Sequence, residues 1–362
     1  MIGFITKSFA ISSSINPHHL SPHNPSIKPF FSKFKLSSPN PKSNPTFLTE
    51  HRKNRVSTIM SITSRDHAAD SYEIPQIMKP RSVVKKVLAR EQPEGEGATV
   101  RRSIGRPEHQ SLDPFLMLDY ATVAHPARFP FHPHRGIETV TYGLEGEISH
   151  EDFDGRKGVI RPGDVQWMTA GRGIVHAGKP IGDTANKNFQ LWINLSSKDK
   201  MVEPSYQELQ SENIKRVQIN GVDVRIIAGE AFGVRSPIHT RTPTMYLDIT
   251  MNPGALLHKP IPEDWNAFFY VVDGEGVFGD EGSSPVSGHH NLVLSKGDGV
   301  RVWNRSEGKL RFLLIAGQPL DEPVVKYGPF VMNTREEIEQ AFVDYQLCKN
   351  GFEKAKQLKF QD

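Results

Sequence analysis

The sequence has a single cysteine, Cys348, and therefore has no pair that would form an intramolecular disulfide. A chain without disulfides suits a reducing compartment such as the cytosol, the nucleus or the plastid stroma. No apolar run approaches the roughly 20 residues of a transmembrane helix, so we expect no membrane association. At 362 residues the chain is long enough for two globular domains.

Acidic residues are nearly absent from the first 60 residues. This segment has eight Lys or Arg against one acid, Glu50, and carries +7, which leaves −4 for the rest of a chain whose total charge is +3. A mildly acidic body argues against a broad phosphate-binding face. We therefore expect no direct nucleic-acid binding.

The N-terminal segment also lacks the apolar periodicity of a folded element, and it has seven prolines before residue 50. Such a segment buries too little apolar surface to offset its ordering entropy, so we expect residues 1–78 to be a disordered extension. A basic, serine-rich, acid-poor N-terminus is typical of a transit peptide and predicts import into the chloroplast. The alternatives are a tail without a targeting role or a shorter product that begins at Met60. The alternative location of the protein is the cytoplasm and nucleus.

The residues that are present point to a metal. Alternate side chains of an extended chain share a face, so His132 and His134 point the same way, as does Glu138, and one strand can present all three to a cavity. His176 follows a Gly-rich bend further on. Alone, a His-x-His pair is more often a surface accident or a hydrogen-bonded pair, but the strand and turn signals around it favour a metal site. Three imidazoles from two strands leave coordination positions open.

Short β-type segments separated by Gly and Pro turns recur without a helical period, which predicts an all-β fold. Two motifs occur twice in the same order. Tyr142–Glu147 resembles Tyr270–Glu275, 128 residues later, and Val159–Asp164 resembles Val293–Asp298, 134 residues later. Such similar offsets predict a duplicated β domain.

We expect a first, metal-binding domain at residues 79–205, a second domain without a metal site at residues 206–332, and a helix and tail at residues 333–362. The second copy has no His-x-His, and we interpret its histidines as loop or surface residues: His258, His289 and His290. Thr334 and Glu337 predict a capping box, and apolar residues then recur on one face up to a predicted stop at Gly351. This helix is expected to pack over a sheet.

A Gly-Asp turn between a His-x-His strand and a returning histidine, given twice in degenerate form, resembles the cupin superfamily of double-stranded β-helices. Longer motifs between about residues 81 and 354 resemble the pirin family in particular: Ser111–Leu116, His132–Gly136, Glu138–Val140, His150–Phe153, Gln166–Gly173 and Gly328–Thr334. The resemblance implies two tandem cupin domains, the first holding one iron through three histidines and a glutamate. The histidines are His132, His134 and His176, and the glutamate position is occupied by Gly178.

Three neutral imidazoles still bind a divalent ion, so we expect Fe(II), with another divalent metal as the alternative. Glu138 is a candidate substitute for the fourth ligand, with water as the default. Because the family's base is also missing, Glu138 is a candidate general base, and a metal-bound hydroxide is the alternative. Side chains that suit a flat apolar pocket or ordinary core are Phe131, Trp167 and Met168.

The resemblance implies two kinds of function. One is flavonol (quercetin) 2,3-dioxygenase activity, in which a base removes the 3-hydroxyl proton and the metal acts as a Lewis acid. The other is a non-enzymatic, iron-dependent co-regulator that docks a transcription or signalling protein. A metal-free scaffold is a third reading. In each case we expect a monomer.

Overall fold

The computed structural model describes residues 75–94 and 97–358. The predicted transit peptide and Met60 lie outside these ranges. Within them the chain is mostly β-strand, which confirms the predicted all-β class. The described helices are short, and none has the length and apolar character that crossing a membrane requires.

The first half of the described chain contains twelve strands and one 3-10 turn (Ser211–Asn213) that follows them. In chain order the strands are β1 (Val83–Leu88), β2 (Glu91–Glu94), β3 (Ala98–Ile104), β4 (Phe115–Val123), β5 (Phe129–His134), β6 (Ile137–Glu145), β7 (Glu147–Asp152), β8 (Lys157–Ile160), β9 (Val165–Thr169), β10 (Ile174–Ile181), β11 (Asn186–Asn194) and β12 (Ser205–Leu209).

The second half contains fourteen strands and two helices. They are β13 (Lys215–Ile219), β14 (Val222–Ala228), β15 (Glu230–Ala231), β16 (Val234–Arg235), β17 (Thr244–Met251), β18 (Leu256–Pro260), β19 (Asn266–Asp273), β20 (Glu275–Phe278), β21 (Val286–Ser287), β22 (His290–Leu294), β23 (Gly299–Trp303), β24 (Leu310–Gly317), β25 (Val325–Tyr327), β26 (Phe330–Met332), α1 (Arg335–Gln346) and α2 (Ala355–Leu358).

Each domain contains a seven-stranded sheet and a four-stranded sheet. In the first domain the strand orders are β12-β9-β6-β11-β4-β3-β2 and β5-β10-β7-β8, and in the second they are β1-β22-β19-β24-β17-β14-β13 and β18-β23-β20-β21. The two sets of strands correspond one to one. This correspondence confirms the duplicated architecture predicted from the repeated motifs.

Two strands pair with a different domain from the one in which the predicted boundaries place them. β1 lies within the range predicted for the first domain but pairs with β22 of the second, with Val87 opposite Asn291. β12 begins at the predicted boundary of residue 205 and pairs with β9 of the first domain, with Tyr206 opposite Met168. Strand β1 therefore belongs to the second domain and β12 to the first, because an apolar pattern locates a strand without specifying its partner.

Apolar side chains fill the interior of the second domain and the space between the two seven-stranded sheets. Phe269, Phe278 and Phe312 pack together in the first of these cores. In the core between the two seven-stranded sheets, Phe115 of the first domain meets Phe268 of the second domain edge to face, with ring centroids 5.3 Å apart. Burial on this scale makes the contact between the domains a continuous core.

Helix α1 begins as the sequence predicts and ends earlier. The Thr334 hydroxyl accepts a hydrogen bond from the Glu337 amide, and the Glu337 carboxylate accepts one from the Thr334 amide, which confirms the capping box. The helix stops at Gln346 rather than near Gly351, because Cys348 already adopts a left-handed conformation with φ 51°. Its apolar face packs on the β25–β26 hairpin, as expected.

The histidines of the second domain differ in part from their interpretation as loop or surface residues. His258 lies in β18 and His290 begins β22, and both are half-buried, whereas His289 lies in the connection before β22. The strands that contain His258 and His290 have only five residues each, which is too short for an alternating pattern to be recognised in the sequence.

Candidate metal centre

Three histidines meet on the inner face of the β5–β10 pair. His176 of β10 lies directly opposite His132 of β5, and Ile174 lies opposite His134. Ring centroids are 4.4 Å apart for His132 and His176, 4.9 Å for His132 and His134, and 5.1 Å for His134 and His176. One nitrogen from each ring lies within 4.8 Å of the others. The three residues predicted from the sequence therefore form one cluster.

The electrostatics of the cluster suit a metal. Burial is the largest cause that lowers the pKa of all three rings, and the pKa values of His134 and His176 lie well below the usual range. Neutral imidazoles keep the lone pair that coordination needs. The Nδ1–H of His132 donates to the Pro130 carbonyl at 2.8 Å, which leaves its Nε2 free. Nε2 of His176 is buried without a hydrogen-bond partner, as expected of a metal ligand.

Glu138 does not share the strand of His132 and His134. Strand β5 ends at His134 and β6 begins at Ile137, because Gly136 turns the chain with φ 78°. A Cβ at this position would overlap the carbonyl oxygen of Val331, so the turn accepts only glycine. The expectation that one strand presents all three side chains is therefore wrong.

Glu138 also faces away from the histidines. It lies opposite Ile193 of β11, whose side chain belongs to the core between the two large sheets. The next residue, Thr139, lies opposite Trp192, whose ring contacts the ring of His134. Because alternate residues take opposite faces, Thr139 points toward the metal cluster and Glu138 points toward the second domain. This orientation argues against Glu138 as a ligand or base.

The surroundings of Glu138 are those of a buried structural acid. Its Oε1 accepts a hydrogen bond from the Thr169 hydroxyl at 2.7 Å, and its Oε2 has no partner. Burial raises the pKa of Glu138 to about 7, although the Thr169 hydrogen bond lowers it. The raised pKa reflects desolvation in the core between the sheets and carries no functional implication.

Gly178 leaves space beside the cluster. It lies on β10, two residues beyond His176, with an ordinary extended backbone. A Cβ built there would approach only Ile148 and Ser149, at 3.5 Å or more. The position where the resemblance to the pirins implies a glutamate is therefore open here, and nothing in the backbone prevents a larger side chain.

A polar residue to which the sequence analysis assigned no role lies across from this space. His150 of β7 is directly opposite Gly178. Its Nε2 lies 2.9 Å from the Gln166 amide nitrogen and 3.1 Å from Oε1 of Glu208. The register that brings His150 to Gly178 is set by strand pairing and is not visible in the sequence.

The three apolar candidates for a substrate pocket separate into different environments. Trp167 is fully buried in the core between the large sheets. Met168 lies opposite Thr139 and packs in the same cluster as Trp192, on the face of the sheet that is turned toward the histidines. Phe131 packs against the cluster around α1. The aromatic wall of the metal site is instead Trp192, whose ring centroid lies 5.1 Å from that of His134.

Arg135, next to His134, connects the metal strands to the C-terminal helix. Its guanidinium is fully buried and bonds Asp344 of α1 at 2.8 Å and the Asn350 carbonyl at 2.6 Å. It also lies over the ring of Phe352, at 4.8 Å from the centroid. The backbone at His134 is thereby fixed by residues more than two hundred positions away in the sequence.

Two family models match this chain. The model described as Pirin matches residues 97–193, and the Pirin C-terminal cupin domain matches residues 246–351. The chain belongs to the pirin family. The pirin-like protein of Solanum lycopersicum is 63% identical over 279 residues, which are 77% of this chain and 96% of that protein. Pirin of Homo sapiens is 53% identical over 278 residues, 76% of this chain and 96% of that protein.

A solved structure resembles this pirin over most of its described length. It is a quercetin 2,3-dioxygenase from Acinetobacter baumannii, 32% identical, with a TM-score of 0.69, and the match covers 75% of this chain and 99% of that one. The match and the two family models establish the bicupin fold. They also place the histidine cluster of this chain in the first cupin domain, the one that matches the Pirin model.

Proposed function

We propose that this pirin-family chain is a ring-cleaving oxygenase of the quercetin 2,3-dioxygenase type that uses Fe(II). The observation that carries the proposal is the cluster of His132, His134 and His176, three neutral imidazoles beside an open position at Gly178. Three imidazoles leave coordination positions open, as a catalytic metal requires. The likeness to a solved quercetin 2,3-dioxygenase supports the choice of reaction.

The metal, when bound, would supply a Lewis acid for an ionised substrate oxygen and a site for O2 chemistry. His132, His134 and His176 would hold it on the inner face of β5 and β10. Trp192 forms an apolar wall beside His134, against which a flat aromatic ring can lie. Gly178 leaves this side of the site uncrowded, so that the substrate meets no protein ligand there.

The reaction needs a group that accepts the hydroxyl proton, and Glu138 is turned away from the site. We assign this role to His150, which lies across from Gly178 on the same face as His176. A proton taken up by its ring is stabilised by the Glu208 carboxylate, 3.1 Å from Nε2. The hydrogen bond with His150 is the largest cause that lowers the pKa of Glu208, so that carboxylate is ionised at neutral pH.

The test is oxygen consumption by the Fe(II)-loaded protein with quercetin. We expect activity in the wild type, loss of activity and of bound metal in His134→Ala, and loss of activity with retained metal in His150→Gln. His239→Ala, which removes an exposed histidine far along the chain, is the control and should behave as the wild type. Equal rates in the wild type and His134→Ala would refute the proposal.

A second candidate is the iron-dependent co-regulator that docks a transcription or signalling protein. The observation in its favour is the buried contact of Arg135 with Asp344, which links the strand end at His134 to α1. A change of metal charge would be felt at the helix through this contact. Hydrogen exchange in α1 should then differ between the ferrous and ferric proteins, and identical exchange in both would leave this candidate without support.

A further inference from the structure

The wall of the metal site continues into a positively charged residue. Trp192 of β11 lies opposite Met117 and Thr139, and its indole meets the ring of His134 nearly at right angles. The ammonium of Lys326 lies over the same indole, with Nζ 5.0 Å from a ring centroid. Lys326 is therefore separated from His134 by no more than the width of one aromatic side chain.

The backbone holds Lys326 in this place. Lys326 lies in β25, which pairs with β26 through Lys326 opposite Val331. Strand β26 is tied to the metal strands because Phe330 forms a bridge with Arg135, next to His134. The fold of the hairpin thus fixes the backbone of Lys326 beside the metal strands, within reach of the Trp192 ring.

The charge of Lys326 is not neutralised locally. Its neighbour Asp119 is engaged by Arg102 through contacts of 2.7 to 3.2 Å, and Arg102 also bonds Glu94 at 3.1 Å. Within the described ranges, no carboxylate lies within ion-pair distance of Lys326. A cation that faces an aromatic wall and has no carboxylate of its own is suited to an anionic group on an aromatic ligand.

We propose that Lys326 gives this protein a preference for aromatic substrates that carry an anionic substituent, such as a sulfonate or carboxylate, on the ring remote from the metal. The inference rests on the proposed function, because it assumes that a flavonol lies against Trp192. One end of such a molecule meets the three histidines and the other reaches the ammonium. The substituent replaces water around Lys326 and leaves the Arg102–Asp119 pair intact.

The test compares the binding of quercetin and a ring-sulfonated flavonol to the zinc-loaded protein, with dioxygen excluded so that no oxygenation occurs. The measured quantity is the ratio of the two dissociation constants, obtained by calorimetric titration. We expect the wild type to favour the sulfonated compound and Lys326→Gln to reduce this preference about tenfold, the value of one charge-assisted hydrogen bond. Lys326→Arg should keep the preference within about threefold, because it keeps the charge.

Lys187→Gln is the matched control. It removes the same charge from β11, the strand of Trp192, but its ammonium is already paired with Glu145 at 2.7 Å. The ratio should not change in this variant. An unchanged ratio in Lys326→Gln, or an equal loss in Lys187→Gln, would overturn the inference while flavonol binding itself still supports the proposed function. If the wild type binds neither flavonol, the proposed function fails and the inference fails with it.

Discussion

At the scale of the residue, we expect Gly178 to set how tightly the three histidines can bind a metal ion. Gly178→Glu should tighten Fe(II) binding about tenfold or more, because a carboxylate two residues beyond His176 adds a charged ligand to three neutral ones. The extended backbone and the 3.5 Å clearance to Ile148 admit the larger side chain. Competition with a fluorescent chelator measures the change.

The control for this substitution is Gly178→Gln, which has nearly the same shape and no charge. It should tighten binding much less than Gly178→Glu. Equal affinities in both variants and the wild type would mean that another group, such as His150 across the strand pair, already occupies the fourth position.

Glu138 is expected to govern the pH dependence of stability rather than catalysis. Its pKa is raised to about 7 in the folded protein, so the folded state holds a proton that the unfolded chain releases near pH 4.5. Its contribution to stability is therefore complete below about pH 4.5 and is lost as the pH rises through 7. Relative to Glu138→Gln, the wild type should lose on the order of 3 kcal/mol of unfolding free energy across this window.

Urea denaturation of both proteins at several pH values measures this difference, and comparison at each pH cancels the titration of the metal ligands. Stability curves that run parallel from pH 4.5 to pH 7.5 would contradict the assignment of Glu138 as a buried, largely protonated acid.

The cluster of three histidines was predictable from the sequence, but the positions of Glu138 and His150 relative to it were not. Strand alternation places His132 and His134 on one face, and that rule is local. The orientation of Glu138 depends on the turn at Gly136, where the chain leaves β5 and enters another sheet. The position of His150 opposite Gly178 depends on the register between β7 and β10, which is set by pairing across the fold.

At the scale of the element, α1 supports the metal strand through Asp344. Burial alone would raise the pKa of this carboxyl, but hydrogen bonds from Arg135, Gln340 and Asn350 outweigh it and lower the pKa. Asp344→Asn at pH 7 leaves the buried Arg135 guanidinium without its counter-charge. We expect a loss of about 3–5 kcal/mol in unfolding free energy, together with weaker metal binding, because Arg135 adjoins His134.

Glu339→Gln is the control for this prediction, since Glu339 is an exposed acid on the same helix. It should change unfolding free energy by less than about 0.5 kcal/mol. Full metal affinity in Asp344→Asn would show that α1 stabilises the fold without positioning the site.

The positions of strands and helices were predicted better than the pairing between strands. The capping box at Thr334 follows from a local pattern and is present as predicted. The membership of β1 in the second domain could not be predicted from a local pattern, because its partner β22 lies about two hundred residues away in the sequence. Pairing over such a separation is decided by the packing of the whole protein.

At the scale of the whole molecule, the two cupin domains share a core. Phe115 of the first domain packs on Phe268 of the second, and the hydroxyl of Tyr142 donates to Asp248 at 2.6 Å across the same interface. Strand β1 adds a covalent connection, since it precedes the first domain and completes the second. Such a molecule should unfold as one cooperative unit.

Phe278→Ala tests this cooperativity. Phe278 lies in the core of the second domain, against Phe269 and Phe312, and outside the core that the domains share. The truncation should cost about 3–5 kcal/mol. If the domains unfold together, the temperature at which the zinc-loaded protein releases its metal falls by about 5–15 °C, although the metal site is in the other domain. Calorimetry of the same variant would then show one transition.

A lowered transition of the second domain with unchanged metal release would instead mean that the shared core does not couple the two halves.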